Sequence, residues 1–192
     1  EEFRSNSQQA RLYAEAFEGA LDAFGTMSKP SIAMIRGYCL GGACELTTAL
    51  DLRVASENSR FAVPVARMGI LVGYKEMRRL IQLLGVGNAR YLLLTGRQFG
   101  ASEMLNMGLL NIVVADNDLE DSVNKLALEI AGNAPLSHQG HKRIWEQVLD
   151  NPSLSGLSDE DVDFQLANFD SEDFREARTA FMEKRPPVFK GK

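Results

Sequence analysis

Gly37-Tyr38-Cys39-Leu40-Gly41-Gly42-Ala43-Cys44-Glu45-Leu46 joins an apolar strand to a helix through two adjacent glycines and sets a carboxylate in the first helical turn. Before it, Ser31-Ile32-Ala33-Met34-Ile35 reads as a short buried strand; after it, Glu45-Leu46-Thr47-Thr48-Ala49-Leu50 reads as a helix without a breaker. Glycines let the backbone come close to a ligand. A helix N-terminus leaves peptide N–H groups without internal partners and carries about half a positive charge, so it stabilises an oxygen that becomes negative during reaction. Glu45 then lies about one turn from the reacting group, within reach of a proton on substrate or water. The plainer alternative is a tight glycine turn followed by a glutamate that complements the helix dipole. Spacing by itself leaves both open.

Working outward, Tyr13, Phe17, Ala20, Leu21 and Phe24 recur at helical spacing and predict an amphipathic helix ending before Lys29-Pro30. Residues 51–56 and 60–63 read as short strands. Residues 75–84 and 88–94 read as helices, with Gly85 and Gly96 at their ends. A short helix over 101–107 precedes a strand over 109–114, and Asn117 with Glu120 makes a capping-box-like start to the next helix. Pro135 opens a helix through Val148, residues 151–158 read as a loop, and the last helix begins at Ser171. Phe174, Ala177 and Phe181 give that helix an apolar stripe, with Glu172 and Asp173 at its positive end and Lys184 and Arg185 at its negative end.

The 192 residues, 45% of them hydrophobic, suffice for one domain with a real core. A net charge of −5 argues against a broad nucleic-acid footprint, while leaving room for a local basic patch toward a phosphorylated ligand. No run approaches the roughly 20 apolar residues of a membrane span, and the polar start lacks a signal-peptide core, so the expected compartment is the cytoplasm. Cys39 and Cys44 read as small buried residues rather than a disulfide or a metal site. His138 and His141 share a helix face with no second ligand pair, so no metal is expected.

The glycine segment, with Lys29-Pro30-Ser31-Ile32-Ala33 before it and Asp51-Leu52-Arg53-Val54-Ala55 and Phe61-Ala62-Val63-Pro64 after it, resembles the crotonase (enoyl-CoA hydratase/isomerase) superfamily. Leu93-Leu94-Thr95-Gly96, Ala101, Gly108-Leu109, Val113-Val114 and Ala180-Phe181-Met182-Glu183-Lys184-Arg185 follow in family order. The resemblance implies an α/β fold, a spiral of ββα units over residues 1–134, with a C-terminal helical trimerisation region over 135–192. It also implies a homotrimer or a dimer of trimers. Family members begin with several strands, and a loop there supplies a second oxyanion N–H. This chain starts at a helix corresponding to one after that loop, so its core is expected to be N-terminally incomplete.

By the same resemblance the substrate is an acyl-CoA, coenzyme A being its carrier and no other cofactor being needed. Gly42, beside Gly41, matches the helix-side oxyanion donor and Glu45 the first catalytic glutamate of the hydratases. The second glutamate falls where this chain has Val65, which carries no titratable group. Glu76 is the candidate substitute, because the loop before it borders the family pocket; its plainer reading is a solvent-facing glutamate in a first helical turn. Gly73 matches a glycine that helps to hold the catalytic water, and Val65, Met68 and Ile70 would form an apolar wall or simply core. Phe181 and Lys184 match positions that contact coenzyme A, with core packing and a solvated helix end as the alternatives. The implied activity is hydration of a 2,3-enoyl thioester, a lyase reaction of fatty acid metabolism. Acyl-CoA binding without turnover, isomerisation and decarboxylation are the other readings.

Overall fold

Short, mostly apolar strands joined at tight corners build two thin sheets rather than one. Ile32–Ile35 (β1) lies beside Leu52–Ser56 (β3) in parallel register, Ile32 facing Leu52 and Ile35 facing Ala55. Tyr38–Leu40 (β2) lies beside Arg60–Ala62 (β4), also parallel, with Cys39 facing Phe61. The chain passes from the first sheet to the second at Gly37, whose φ of 79° a side chain would resist. The next turn repeats the step at Ser59. There the Ser59 hydroxyl donates to the Ile35 carbonyl (3.2 Å) and the Arg60 N–H to the Gly37 carbonyl (2.8 Å). Each ββα passage therefore adds one strand to each sheet, which is the pitch of a spiral. The computed structural model describes residues 6–192.

The helices fill the gaps between passages. Ser7–Gly25 (α1) is capped by Asn6, whose side chain accepts from the Gln9 N–H. Gly42–Thr47 (α2) follows β2, Val65–Met68 (α3) follows β4, and Tyr74–Thr95 (α4) is broken at Gly85, where φ 71° and ψ 163° interrupt the helix. Phe99–Gly100 (β5) pairs antiparallel with β4; Ala101–Met107 (α5) then leads to Ile112–Val114 (β6), which closes the first sheet against β3. Phe61, Phe99, Leu80, Leu92, Met104 and Leu109 are wholly removed from water in the core between these layers, each contributing about 1.5–3 kcal/mol.

Several expectations need correction. The segment opening at Gly37 contains its own strand, β2, so the glycine turn follows that strand and not Ser31–Ile35 directly. Helix α2 stops at Thr47 instead of running to Leu50, because the Thr47 and Thr48 hydroxyls turn back onto the carbonyls of Cys44 (2.8 Å) and Glu45 (2.6 Å). The strand expected over 109–114 is only β6, since Leu109 and Leu110 close a turn onto the Met104 carbonyl. Leu119–Ala131 (α6) begins through a 3-10 turn over Asp116–Asp118 and not through an Asn117 capping box; Glu120 reaches Arg36 instead (3.3 Å).

The chain divides into two compact units: residues up to Met27 with Ser31–Asn124, and Ser28–Pro30 with Lys125–Lys192. In the second, Pro135–Asp150 (α7), Asp159–Phe164 (α8) and Glu172–Glu183 (α9) carry the packing. Sequence periodicity passed over α8 because it is short, yet Ser158 and Asp161 form a reciprocal capping box at its start. Asp173, only 3% exposed, accepts the N–H groups of Lys190 (2.7 Å) and Gly191 (2.8 Å) and so ties the C-terminal tail to α9. The apolar stripe predicted for α9 is displaced: Ala180 is buried, whereas Phe181 is 82% exposed.

Candidate active site

Gly41 sits at φ 56° and ψ −127°, a conformation open to glycine and costly for other residues. Its N–H donates to the Ala62 carbonyl (2.7 Å), extending the β2–β4 ladder to the turn, and its carbonyl accepts the Glu45 N–H (3.0 Å). Gly42 is the first residue of α2, and among the described residues no acceptor takes its N–H. On its Cα side Gly42 is flanked by α1: a Cβ there would lie 3.5 Å from both Phe17 Cε2 and the Tyr13 hydroxyl. Cys44 is fully buried and anchors α2 to the core, so Glu45, one helical step of about 100° further on, lies half-buried at the edge. Cys39 beside it, together with full burial, holds the Cys44 thiol well above the usual thiol range, and it stays protonated.

The other end of α2 is held by a residue that sequence reading did not single out. Arg53 on β3 is 3% exposed. Its Nε donates to the Leu109 carbonyl (2.6 Å), and its Nη1 donates to the carbonyls of Leu50 (2.6 Å) and Thr47 (3.3 Å). The guanidinium thus takes the place of the water that would meet the last carbonyls of the helix. Nothing in the pattern Asp51-Leu52-Arg53-Val54 marks that role, because it depends on residues 50 and 109 meeting in space.

Val65 opens α3 half-buried and packs against the core that contains Cys44, Phe61 and Val63. Met68 and Ile70, expected to line an apolar wall with it, are exposed. Glu76 departs from its plainer reading: it is not solvent-facing but 5% exposed, and its Oε2 is buried with no hydrogen-bond partner among the described residues. The side chain folds back over Gly73, the N-cap of α4, where an added Cβ would collide with that carboxylate oxygen. The residue before it, Lys75, reaches α1 and bridges Glu18 (3.3 Å) and Asp22 (2.9 Å); Arg79 also meets Asp22 (3.2 Å). The hydrogen bond from Lys75 is the main reason the Asp22 carboxyl is held below its ordinary value.

Glycine turn and α4 N-terminus therefore lie along one helix, α1, while Phe181 and Lys184 lie in the second unit. There Phe181 is exposed, and Lys184 is exposed at the end of α9 with φ 54°. Ring nitrogen Nε2 of His138 lies 3.0 Å from the Ile130 carbonyl, and His141 stacks on Trp145. Among the described residues no group of three or more metal-ligating side chains comes together, and no helix is long and apolar enough to cross a membrane.

A two-sheet spiral with a glycine-led helix turn at its edge is the crotonase fold, and the sequence profile of the enoyl-CoA hydratase/isomerase family matches residues 1–192. The chain belongs to that family. Among its relatives, a short-chain-enoyl-CoA hydratase of Clostridium acetobutylicum is 36% identical over 159 residues, covering 83% of this chain and 60% of the relative. A mitochondrial Delta(3,5)-Delta(2,4)-dienoyl-CoA isomerase of Dictyostelium discoideum is 36% identical over 176 residues, covering 91% of this chain and 59% of the relative. Both cover less than two thirds of the relative's length. A solved enoyl-CoA hydratase/carnithine racemase of Magnetospirillum magneticum superposes with a TM-score of 0.91 at 32% identity, covering 98% of this chain and 70% of that one.

Proposed function

We propose that the protein is an acyl-CoA enzyme that stabilises a thioester enolate and adds water across a 2,3-double bond. The observation that carries this reading is the division of labour at the turn. The Gly41 N–H is used by the Ala62 carbonyl, while the neighbouring Gly42 N–H, at a helix N-terminus one turn from Glu45, has no acceptor among the described residues. Such a donor, aimed at the thioester oxygen, is worth about 2.7–4 kcal/mol of barrier. Glu45 then handles the proton of the attacking water. Relatives named as hydratase, dienoyl-CoA isomerase and carnitinyl-CoA dehydratase support acyl-CoA chemistry of this general kind. Exposed Phe181 and Lys184 suit the adenine face and phosphates of coenzyme A, which serves as substrate carrier. Family membership extends the proposal to a cytoplasmic homotrimer or hexamer, which light scattering on the purified protein would test.

The assay is loss of the conjugated thioester absorbance of crotonyl-CoA, run beside Glu45→Gln. Glu45→Gln is expected to slow turnover by about 10²–10⁴-fold; unchanged turnover removes Glu45 from the mechanism. Val65, standing where a second glutamate is expected, favours one other reading, an acyl-CoA-binding protein without efficient chemistry. Tight crotonyl-CoA binding with no turnover by the native protein would select it.

A further inference from the structure

Glu76 is a carboxylate the turn at Gly42 does not account for. A buried polar atom without a partner is costly in a folded protein, by about 1–3 kcal/mol and more for a charged group, so its retention calls for a donor from outside the chain. Glu76 Oε2 is such an atom. Its position relative to the glycine turn follows from α1. Phe17 borders Gly42, and Asp22 holds Lys75 and Arg79, one residue before Glu76 and three after it. Five residues of helix separate Phe17 from Asp22, a rise of about 7.5 Å. Val72 and Met77, which flank Gly73 and Glu76, pack on the same apolar cluster as Cys44, the neighbour of Glu45. The two helix starts thus border the same helix and the same apolar cluster. Gly73 completes the arrangement, since any side chain there would push the carboxylate away.

We infer that Glu76 is a second catalytic carboxylate, which exchanges a proton with the α-carbon of the acyl group; this rests on the acyl-CoA reading above. In the dehydration direction the α C–H bond breaks and its proton passes to Glu76. The electron pair enters the thioester as an enolate facing the Gly42 N–H. The enolate then collapses to the 2,3-double bond as the Cβ–O bond breaks, and hydroxide leaves as water with the proton held by Glu45. Hydration runs the same steps in reverse. Val65 needs no titratable group in this scheme, because the carboxylate arrives from the next helix.

The test separates the two carboxylates. Exchange of the α-hydrogens of butyryl-CoA in deuterated water reads proton transfer at carbon alone, and crotonyl-CoA turnover reads the whole reaction. Glu76→Gln is expected to slow both by about 10²–10⁴-fold while butyryl-CoA still binds. Glu45→Gln is expected to slow turnover by about 10²–10⁴-fold and α-exchange by less, whereas Glu76→Gln slows the two alike. Gly73→Ala keeps both glutamates and an allowed backbone (φ −66°, ψ 163°) but displaces the flexible end of Glu76, so it lowers α-exchange as well and decides the matter if Glu76→Gln fails to fold. Native-rate α-exchange in Glu76→Gln, or no exchange by the native protein, overturns the inference. Glu76-dependent exchange without crotonyl-CoA turnover upholds it while refuting hydration.

Discussion

Replacing Arg53 by methionine removes the guanidinium that closes the C-terminal end of α2 and leaves an unbranched apolar stem. Two of its bonds are short, to the carbonyls of Leu109 and Leu50 at 2.6 Å, and the site is 3% exposed, so water cannot replace them without opening the core. A buried acceptor left unpaired costs about 1–3 kcal/mol, giving roughly 2–6 kcal/mol for the two. Burial disfavours the charged guanidinium, lowering its pKa from the ordinary arginine value, so part of that loss is offset when the cation is removed. The expected net destabilisation is about 3 kcal/mol. For a chain of this length each kcal/mol lowers Tm by about 2–4 °C, so thermal unfolding followed by circular dichroism should shift down by about 6–12 °C. Arg53→Lys should recover only part of this, since a point cation cannot serve carbonyls on both sides of β3. A fall of less than about 3 °C for Arg53→Met would show that water or another donor already satisfies those carbonyls, and the argument would fail.

The two glycines of the turn should respond differently to alanine. Gly41→Ala places a side chain at φ 56° and ψ −127° and should cost about 1–3 kcal/mol in chemical denaturation. Gly42→Ala meets Phe17 and Tyr13 only at ordinary contact distance and should change stability by less than about 1 kcal/mol; equal losses at both would refute the backbone argument. In the second unit, the side-chain hydrogen bonds from Arg185, together with the Val188 N–H, hold the Glu176 carboxyl down to about 2 from an ordinary value of 4.5. A carboxyl lowered on folding stabilises above its unfolded value, and that contribution disappears as pH falls from about 4.5 through about 2. Glu176→Gln should therefore flatten the acid limb of the stability profile across that window while leaving its slope above pH 6 unchanged; an unaltered acid limb counts against the pairing.

Much of the core and its elements was legible because local patterns sufficed. The Tyr13 to Phe24 spacing, the break at Gly85, the helix starts at Ser171 and Pro135, and the Gly41-Gly42-Glu45 turn are all set within a few residues of chain. Where reading failed, competing short-range bonds or distant partners had won. Thr47 and Thr48 shorten α2 by bonding their own helix carbonyls, and Glu120 leaves the expected capping box for Arg36, eighty-four positions away in sequence.

The sequence by itself determined the family, the glycine turn and the identity of the residues that could act there, since backbone freedom and helix polarity belong to the residues and their spacing. Tertiary structure alone decided that Glu76 is buried over Gly73, that Arg53 closes α2, and that Val65 packs half-buried against the core while Phe181 stands exposed. The physical reason is the same in each case. Burial and hydrogen-bond satisfaction depend on which segments meet in space, and a first-turn glutamate has the same local sequence whether solvent or an apolar layer lies beside it.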